Sequence, residues 1–199
     1  MGEPTRWVTE HDAGHSSWYI ERFRRMAAEG ADLGGEARLL DAMLPRRSRV
    51  LDAGCGPGRV GAELVARGHL VVGVDADAAL IEAARADHPE AVWLLADLSD
   101  LDLGTLGHPE PFDAAIVAGN VMPFLAPGSE PAVLRRLAAH VHEDAVVVVG
   151  FGLDRGYSLS DFDIHAAAAG LVLEHRFATW DLRPWRHDAP FAVTVLRRP

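Results

Sequence analysis

The residues of this chain whose types and spacing point most directly to chemistry lie in one segment, Val50-Leu51-Asp52-Ala53-Gly54-Cys55-Gly56-Pro57-Gly58-Arg59-Val60-Gly61. Its glycines allow a ligand to approach the backbone closely, and a loop that opens a helix points free N–H groups at whatever binds there. The Gly56-x-Gly58-x-x-Gly61 spacing matches a dinucleotide-binding fingerprint, with Asp75 at the end of the next apolar run to take ribose hydroxyls. Asp52 argues against a pyrophosphate in this loop. A carboxylate at the end of the preceding strand repels phosphate and would instead hold a cationic ammonium. Cys55 has no His near it in sequence and reads as a small buried loop residue, not a nucleophile. In the leading segment His11, His15 and Tyr19 are candidates for a general base, because such a segment can cover a site. His11-x-x-x-His15 also has metal-ligand spacing. Gly14 weakens a helix there and no third ligand is evident, so no metal is expected.

The elements that must position these residues follow from the hydrophobic pattern. Residues 16–29 place Trp18, Tyr19, Phe23, Met26 and Ala27 at helical spacing, and residues 36–44 repeat Leu39, Leu40, Met43 and Leu44 on one face before Pro45. From Arg49 short apolar runs alternate with helical stretches, which predicts strands at 49–53, 70–74, 92–95, 112–118 and 145–150 and helices at 59–66, 78–86 and 130–140. A helix at 159–169 and strands at 171–180 and 191–196 follow, the last two too close for a helical crossover and so antiparallel. Continuously apolar strands such as Val146–Val149 are those of a sheet covered on both faces. The expected fold is α/β: a three-layer Rossmann-like sheet of seven strands, mostly parallel, with an antiparallel C-terminal hairpin strand and helices on both faces. One domain spans 1–199, with 1–47 as a helical lid or cap and 48–199 as the core.

The string Asp52-x-Gly54-Cys55-Gly56-Pro57-Gly58-Arg59 resembles the first motif of the class I S-adenosylmethionine (SAM)-dependent methyltransferases. Gly73-Val74-Asp75 is similar to the second motif, whose acid binds both ribose hydroxyls. Ala96-Asp97-Leu98 is similar to the third, whose acid meets the adenine amino group. The stretch from Phe112-Asp113 to Ala118-Gly119-Asn120 resembles the fourth, which lines the methionine end and the transferred methyl. The resemblance covers roughly residues 49–150. It implies S-adenosyl-L-methionine as cofactor, S-adenosyl-L-homocysteine as product, and a seventh, antiparallel strand. The cofactor contacts it implies are Asp52, Gly54, Cys55, Gly56, Arg59, Val60, Asp75, Ala76, Asp97, Leu98, Ala118, Gly119 and Asn120. Gly119-Asn120-Val121-Met122-Pro123-Phe124 departs from the Asn-Pro-Pro-Tyr type of members that methylate nucleobase or protein amide nitrogens, which points to a small-molecule acceptor.

Ligands of an open parallel sheet bind outside the carboxyl ends of its strands, so the loops after the fourth, fifth and sixth strands are expected to face the acceptor. These loops carry Met122 and Phe124, then Asp154, Arg155 and Tyr157, then Trp180, Arg183, Trp185 and Arg186, with Trp18 on the leading helix. Arg and Trp there would hold an aromatic or anionic acceptor by stacking and charge-assisted hydrogen bonds. The competing reading is that the tryptophans pack the leading helices.

Composition narrows the field further. All 19 basic residues are Arg, which excludes Schiff-base chemistry, a Walker-type lysine and a Tyr-Lys dehydrogenase pair. A formal charge of -10 disfavours nucleic acid. No apolar run reaches the ~20 residues of a membrane span. The polar start at 1–12 and the single cysteine fit the cytoplasm. The reading is a cytoplasmic SAM-dependent methyltransferase, transferring a methyl group in line to a small molecule. The alternatives are a non-catalytic SAM-binding module and an NAD(P)-dependent oxidoreductase.

Overall fold

From Arg49 onward, the apolar runs assemble into one seven-stranded sheet of order β3-β2-β1-β4-β5-β7-β6. The strands are β1 (Arg49–Ala53), β2 (Leu70–Asp75), β3 (Val92–Leu95), β4 (Phe112–Val117), β5 (Val141–Gly152), β6 (Val172–Phe177) and β7 (Phe191–Arg197). The helices are α1 (Arg6–Thr9), α2 (His15–Ala28), α3 (Gly35–Met43), α4 (Arg59–Ala66), α5 (Ala78–Asp87), α6 (Val121–Phe124), α7 (Glu130–His140) and α8 (Leu159–Ala168). This computed structural model describes residues 3–11 and 14–199; residues 1, 2, 12 and 13, which the lid reading of 1–47 includes, lie outside the described residues.

Strands β1 to β5 pair in parallel, and β7 runs antiparallel between β5 and β6. Burial explains why the last strand in sequence is not the last in space. Ala192 to Leu196 are almost completely buried, as a strand covered on both sides demands, whereas β6 carries Glu174, His175 and Arg176 and stays exposed at the edge. Alternation divides the core in two. Leu51, Val72, Ala115, Val117 and Val147 face α7 and α8. Val50, Val71, Ile116, Val148 and Val195 face α3 and α4, and the same alternation points Asp52 to that second side.

The elements differ from the sequence reading at their ends. Strand β5 starts at Val141, four residues early, because the exposed His142-Glu143-Asp144 hides it, and the register to β4 shifts between Phe112 and Ala114. The strand expected to reach Trp180 stops at Phe177, which bridges to Pro184 across a turn. The single-turn helices α1 and α6 are too short for periodicity to show.

The close approach of α4 to the sheet depends on Trp93, which projects from β3 and donates its indole N–H to the His88 carbonyl at 2.7 Å. A Cβ on Gly58, Gly61 or Gly73 would lie 3.0, 2.7 or 2.3 Å from that ring. Two of the three fingerprint glycines therefore make room for an indole. The substitution Gly73→Ala is expected to lower stability by about 1–3 kcal/mol through overpacking, read from the urea midpoint. A change within error would mean that Trp93 is free to move.

Candidate active site

The sheet order reverses between β1 and β4, and the crevice at that switch point opens above their carboxyl ends. A cleft of about 930 Å³, counted out to its open mouth, lies there. Its floor is the loop after β1. Gly54 and Cys55 donate their N–H groups to the Val74 carbonyl at 2.8 and 3.0 Å, which folds the loop back over β2. Gly54 has φ +76°, and a Cβ on it would lie 2.3 Å from Val121, so α6 can seat only against a glycine. Gly56 has φ +56° and donates its N–H to Asp75 Oδ2 at 2.9 Å. Asp75 Oδ1 accepts the N–H of Asp77 at 2.9 Å. Asp97 in the loop after β3 accepts the N–H of Ser99 at 2.8 Å.

Four aspartates and one arginine are the acidic and basic residues that line the cleft among the described residues. Asp52 is 1% exposed, and its Oδ2 is buried with no hydrogen-bond partner. Burial pushes its carboxyl up to about 7, although the Arg59 charge pulls the other way. Burial likewise raises Asp75 to about 6, against the N–H groups it accepts. Arg59 is already committed: it donates to both carboxylate oxygens of Glu36 at 2.6 and 2.9 Å and to the Leu33 carbonyl, and it lies over the Phe23 ring. Among the described residues a phosphate would meet unpaired negative charge here and no free cation. The arrangement suits a ligand that brings its own positive charge. Burial also drives the Cys55 thiol well above its ordinary value, which removes the thiolate a nucleophile needs.

The roof comes from α1, α2 and α6. The Tyr19 ring lies over Gly56, and its hydroxyl lies over Gly119. Trp7 meets Tyr19 and Phe124 edge to face at 5.2 and 5.8 Å.

Every sequence-derived cofactor contact lines this cleft except Asn120. Asn120, at φ 66°, turns its Oδ1 to accept the N–H of Gly152 at 2.7 Å and so ties the end of β4 to β5. Of the acceptor and base candidates, Tyr19 and Phe124 line it. His11 and His15 stack at 3.6 Å beside Trp7, ring on ring, a geometry that does not converge their lone pairs. Trp18 is 54% exposed under Arg22.

The remaining rim candidates lie elsewhere for physical reasons. Met122 is fully buried. Tyr157 packs on Phe151 and Phe162 with its hydroxyl on His165 at 2.9 Å. Trp180 fills the space left by Gly150, where a Cβ would lie 2.2 Å away, which is the packing alternative. Trp185 lies under Arg176, while Arg183 and Arg186 pair with Asp181 and Asp188. Arg155 is exposed beside Gly152, and Asp154 also lies against that glycine. Sequence reading missed Trp7, Val8, Phe23 and Asp77 in the lining. For Asp77 a signal existed, an acid directly before the apolar start of a helix.

A methyltransferase-domain family model matches residues 50–144. The chain is similar to a TehB-like SAM-dependent methyltransferase from Corynebacterium glutamicum, with 42% identity and a TM-score of 0.88 over 94% of this chain and 100% of that one. It is 34% identical over 122 residues to a dTDP-3-amino-3,6-dideoxy-alpha-D-glucopyranose N,N-dimethyltransferase from Streptomyces fradiae, covering 61% of this chain and 45% of that protein. It is 40% identical over 81 residues to an uncharacterized methyltransferase of Mycobacterium tuberculosis, covering 39% of each. The matched stretches span less than half the length of both curated relatives.

Raised acids set the pH dependence of stability. With Asp52 and Asp75 held above the ordinary carboxylate value, the folded chain keeps protons that the unfolded chain has released. The stability tied to them is complete below about pH 4 and lost as pH rises through about 6 to 7. D52N is expected to exceed the native chain at pH 8 by about 1–3 kcal/mol, with the gap closing by about pH 4. Urea denaturation at both values checks this, and an equal or lower midpoint for D52N at pH 8 would show the charge to be compensated in place.

Proposed function

The chain belongs to the SAM-dependent methyltransferases, and from that premise we propose that it passes the SAM methyl group to a small-molecule acceptor seated under the α1–α2 roof. The observation that carries this reading is the buried, unpartnered Oδ2 of Asp52 in a cleft whose one lining cation among the described residues is already paired. The residues present fit SAM. Asp52 would hold the ammonium, Asp75 the ribose hydroxyls through the lone pairs its two N–H partners leave free, and Asp97 with Leu98 the adenine edge. When bound, SAM supplies a sulfonium methyl already activated for in-line displacement.

The chain's own task is to orient and to exclude water. Trp7, Tyr19 and Phe124 close the acceptor end with rings. Tyr19 is raised above its ordinary value by burial, so its phenol stays protonated and serves as a donor. His11 Nδ1 lies 3.0 Å from the Trp7 carbonyl, which can only accept, so Nδ1 is the donor in that bond and fixes the ring beside Trp7. The acceptor class we favour carries an amine or hydroxyl nucleophile. The amino-sugar acceptor in the name of the Streptomyces fradiae relative supports that class. The net charge of -10 supports an acceptor other than nucleic acid. Among the described residues no helix is long and apolar enough to cross a membrane.

Calorimetric titration with SAM, S-adenosylhomocysteine and NADH tests the reading. Saturable binding of the SAM pair is expected, weakened at least about tenfold in D75A. Affinity for SAM should also fall by about tenfold between pH 8 and pH 6, as Asp52 takes up its proton, and D52N should bind weakly at both. Binding of NADH alone would overturn the assignment; where the SAM pair binds, a screen of amine and hydroxyl acceptors for S-adenosylhomocysteine release separates an enzyme from a bare binding module.

A further inference from the structure

Asp77 is not one of the motif acids, yet both of its carboxylate oxygens are in use. Oδ1 caps α5 by accepting the N–H groups of Ala79 at 2.8 Å and Leu80 at 3.3 Å. Oδ2 accepts the indole N–H of Trp7 from α1 at 2.8 Å and the hydroxyl of Ser16 from the head of α2. Its backbone N–H meanwhile donates to Asp75 Oδ1 at 2.9 Å. One residue thus touches Asp75 with its main chain and α1 and α2 with its side chain.

Other ties between roof and core include the Arg6 guanidinium on the Pro123 carbonyl at 3.3 Å, Arg59 over the Phe23 ring, and Arg24 on Asp87, the last two about two turns further along α2 than Ser16. Trp7 is central to the ring cluster, with His11, His15, Tyr19 and Phe124 all against it at centroid distances of 4.7 to 5.8 Å. The indole bond to Asp77 therefore holds the Trp7 wall in place, and the Tyr19 ring over Gly56 and Gly119 packs against that wall.

The geometry points to Asp77 as the latch of a lid: closing it on Trp7 and Ser16 builds the acceptor wall over an occupied cofactor seat, and opening it releases the used cofactor. This rests on the methyltransferase reading for what the seat holds, and on the structure alone for the latch. It implies a binding order. The acceptor wall is made of lid residues, so cofactor enters first and acceptor second, and S-adenosylhomocysteine leaves only after the latch opens. Asp77 and Ser16 are positioning residues, acting through Asp75 and Trp7. Although burial raises it, hydrogen bonds from Ser16, Trp7 and the helix amides hold the Asp77 carboxyl below its ordinary value, so it stays charged through neutral pH.

S16A removes a donor and keeps the packing, W7F removes the indole donor together with part of the ring's volume, and S16T restores the hydroxyl. In the ligand-free protein, hydrogen exchange of the α1 amides Val8, Thr9 and Glu10 is expected to rise about tenfold in W7F and S16A, with the sheet amides unchanged and S16T back at the native rate. Unchanged α1 exchange would overturn the latch. In stopped flow, dissociation of S-adenosylhomocysteine should speed up about tenfold in both variants, and the acceptor KM should rise more than kcat falls. Faster exchange with an unaltered dissociation rate would overturn the gating role. Failure of the native protein to bind S-adenosylhomocysteine at all would overturn the function and the gating together, while the exchange result would still decide the latch.

Discussion

Two hydrogen bonds onto one carboxylate hold the working end of this molecule together. Asp75 accepts the N–H of Gly56 on one oxygen and the N–H of Asp77 on the other. The first bond fixes the loop after β1 against the end of β2. The second fixes the turn into α5, and through the Asp77 side chain it reaches the roof helices. A buried acid needs such partners, because desolvation penalises its charge, and here the partners are backbone groups of the segments that must line the cleft. Satisfying the acid and shaping the site are one event.

The same economy of charge decides what the cleft can hold. Asp52 has no partner for Oδ2, and Arg59, the cation that could have served, is taken by Glu36 from α3. Had Arg59 been free, the glycine spacing would have remained compatible with a pyrophosphate. Its pairing leaves the cleft negative, a poor place for phosphate and a good one for a cationic ligand. A residue 23 positions away in sequence thus changes the chemistry the loop supports.

The glycines carry a related lesson. Gly58 and Gly61 belong to a spacing that reads as a ligand loop, yet the side chain each makes room for is that of Trp93. Gly54 makes room for Val121, and only Gly56 and Gly119 lie open toward Tyr19 and the cleft. Close packing of helix on sheet and close approach of a ligand demand the same residue type, so the pattern records both without separating them.

Much was legible in the order of residues because it rests on local rules. Alternating apolar runs set the strands, and all but one of the cofactor contacts implied by the motifs line the cleft, since each sits at the carboxyl end of a strand of known order or in the loop and helix start that follow it. Asn120 is the exception, because its left-handed backbone turns the side chain onto Gly152. The acceptor end was not legible. Trp180 and Trp185 carry the residue type of a binding rim, but the gap at Gly150 and the guanidinium of Arg176 claim them. Trp7, which does line the cleft, sits in a four-residue helix with no periodicity of its own. Which aromatic side chain recognises a ligand and which fills a hole depends on the space left by residues distant in sequence. Sequence therefore determined the sheet, its motif acids and their loops; only the tertiary structure decided which rings close over them, because that is settled by packing volume and by the carboxylate that holds the roof.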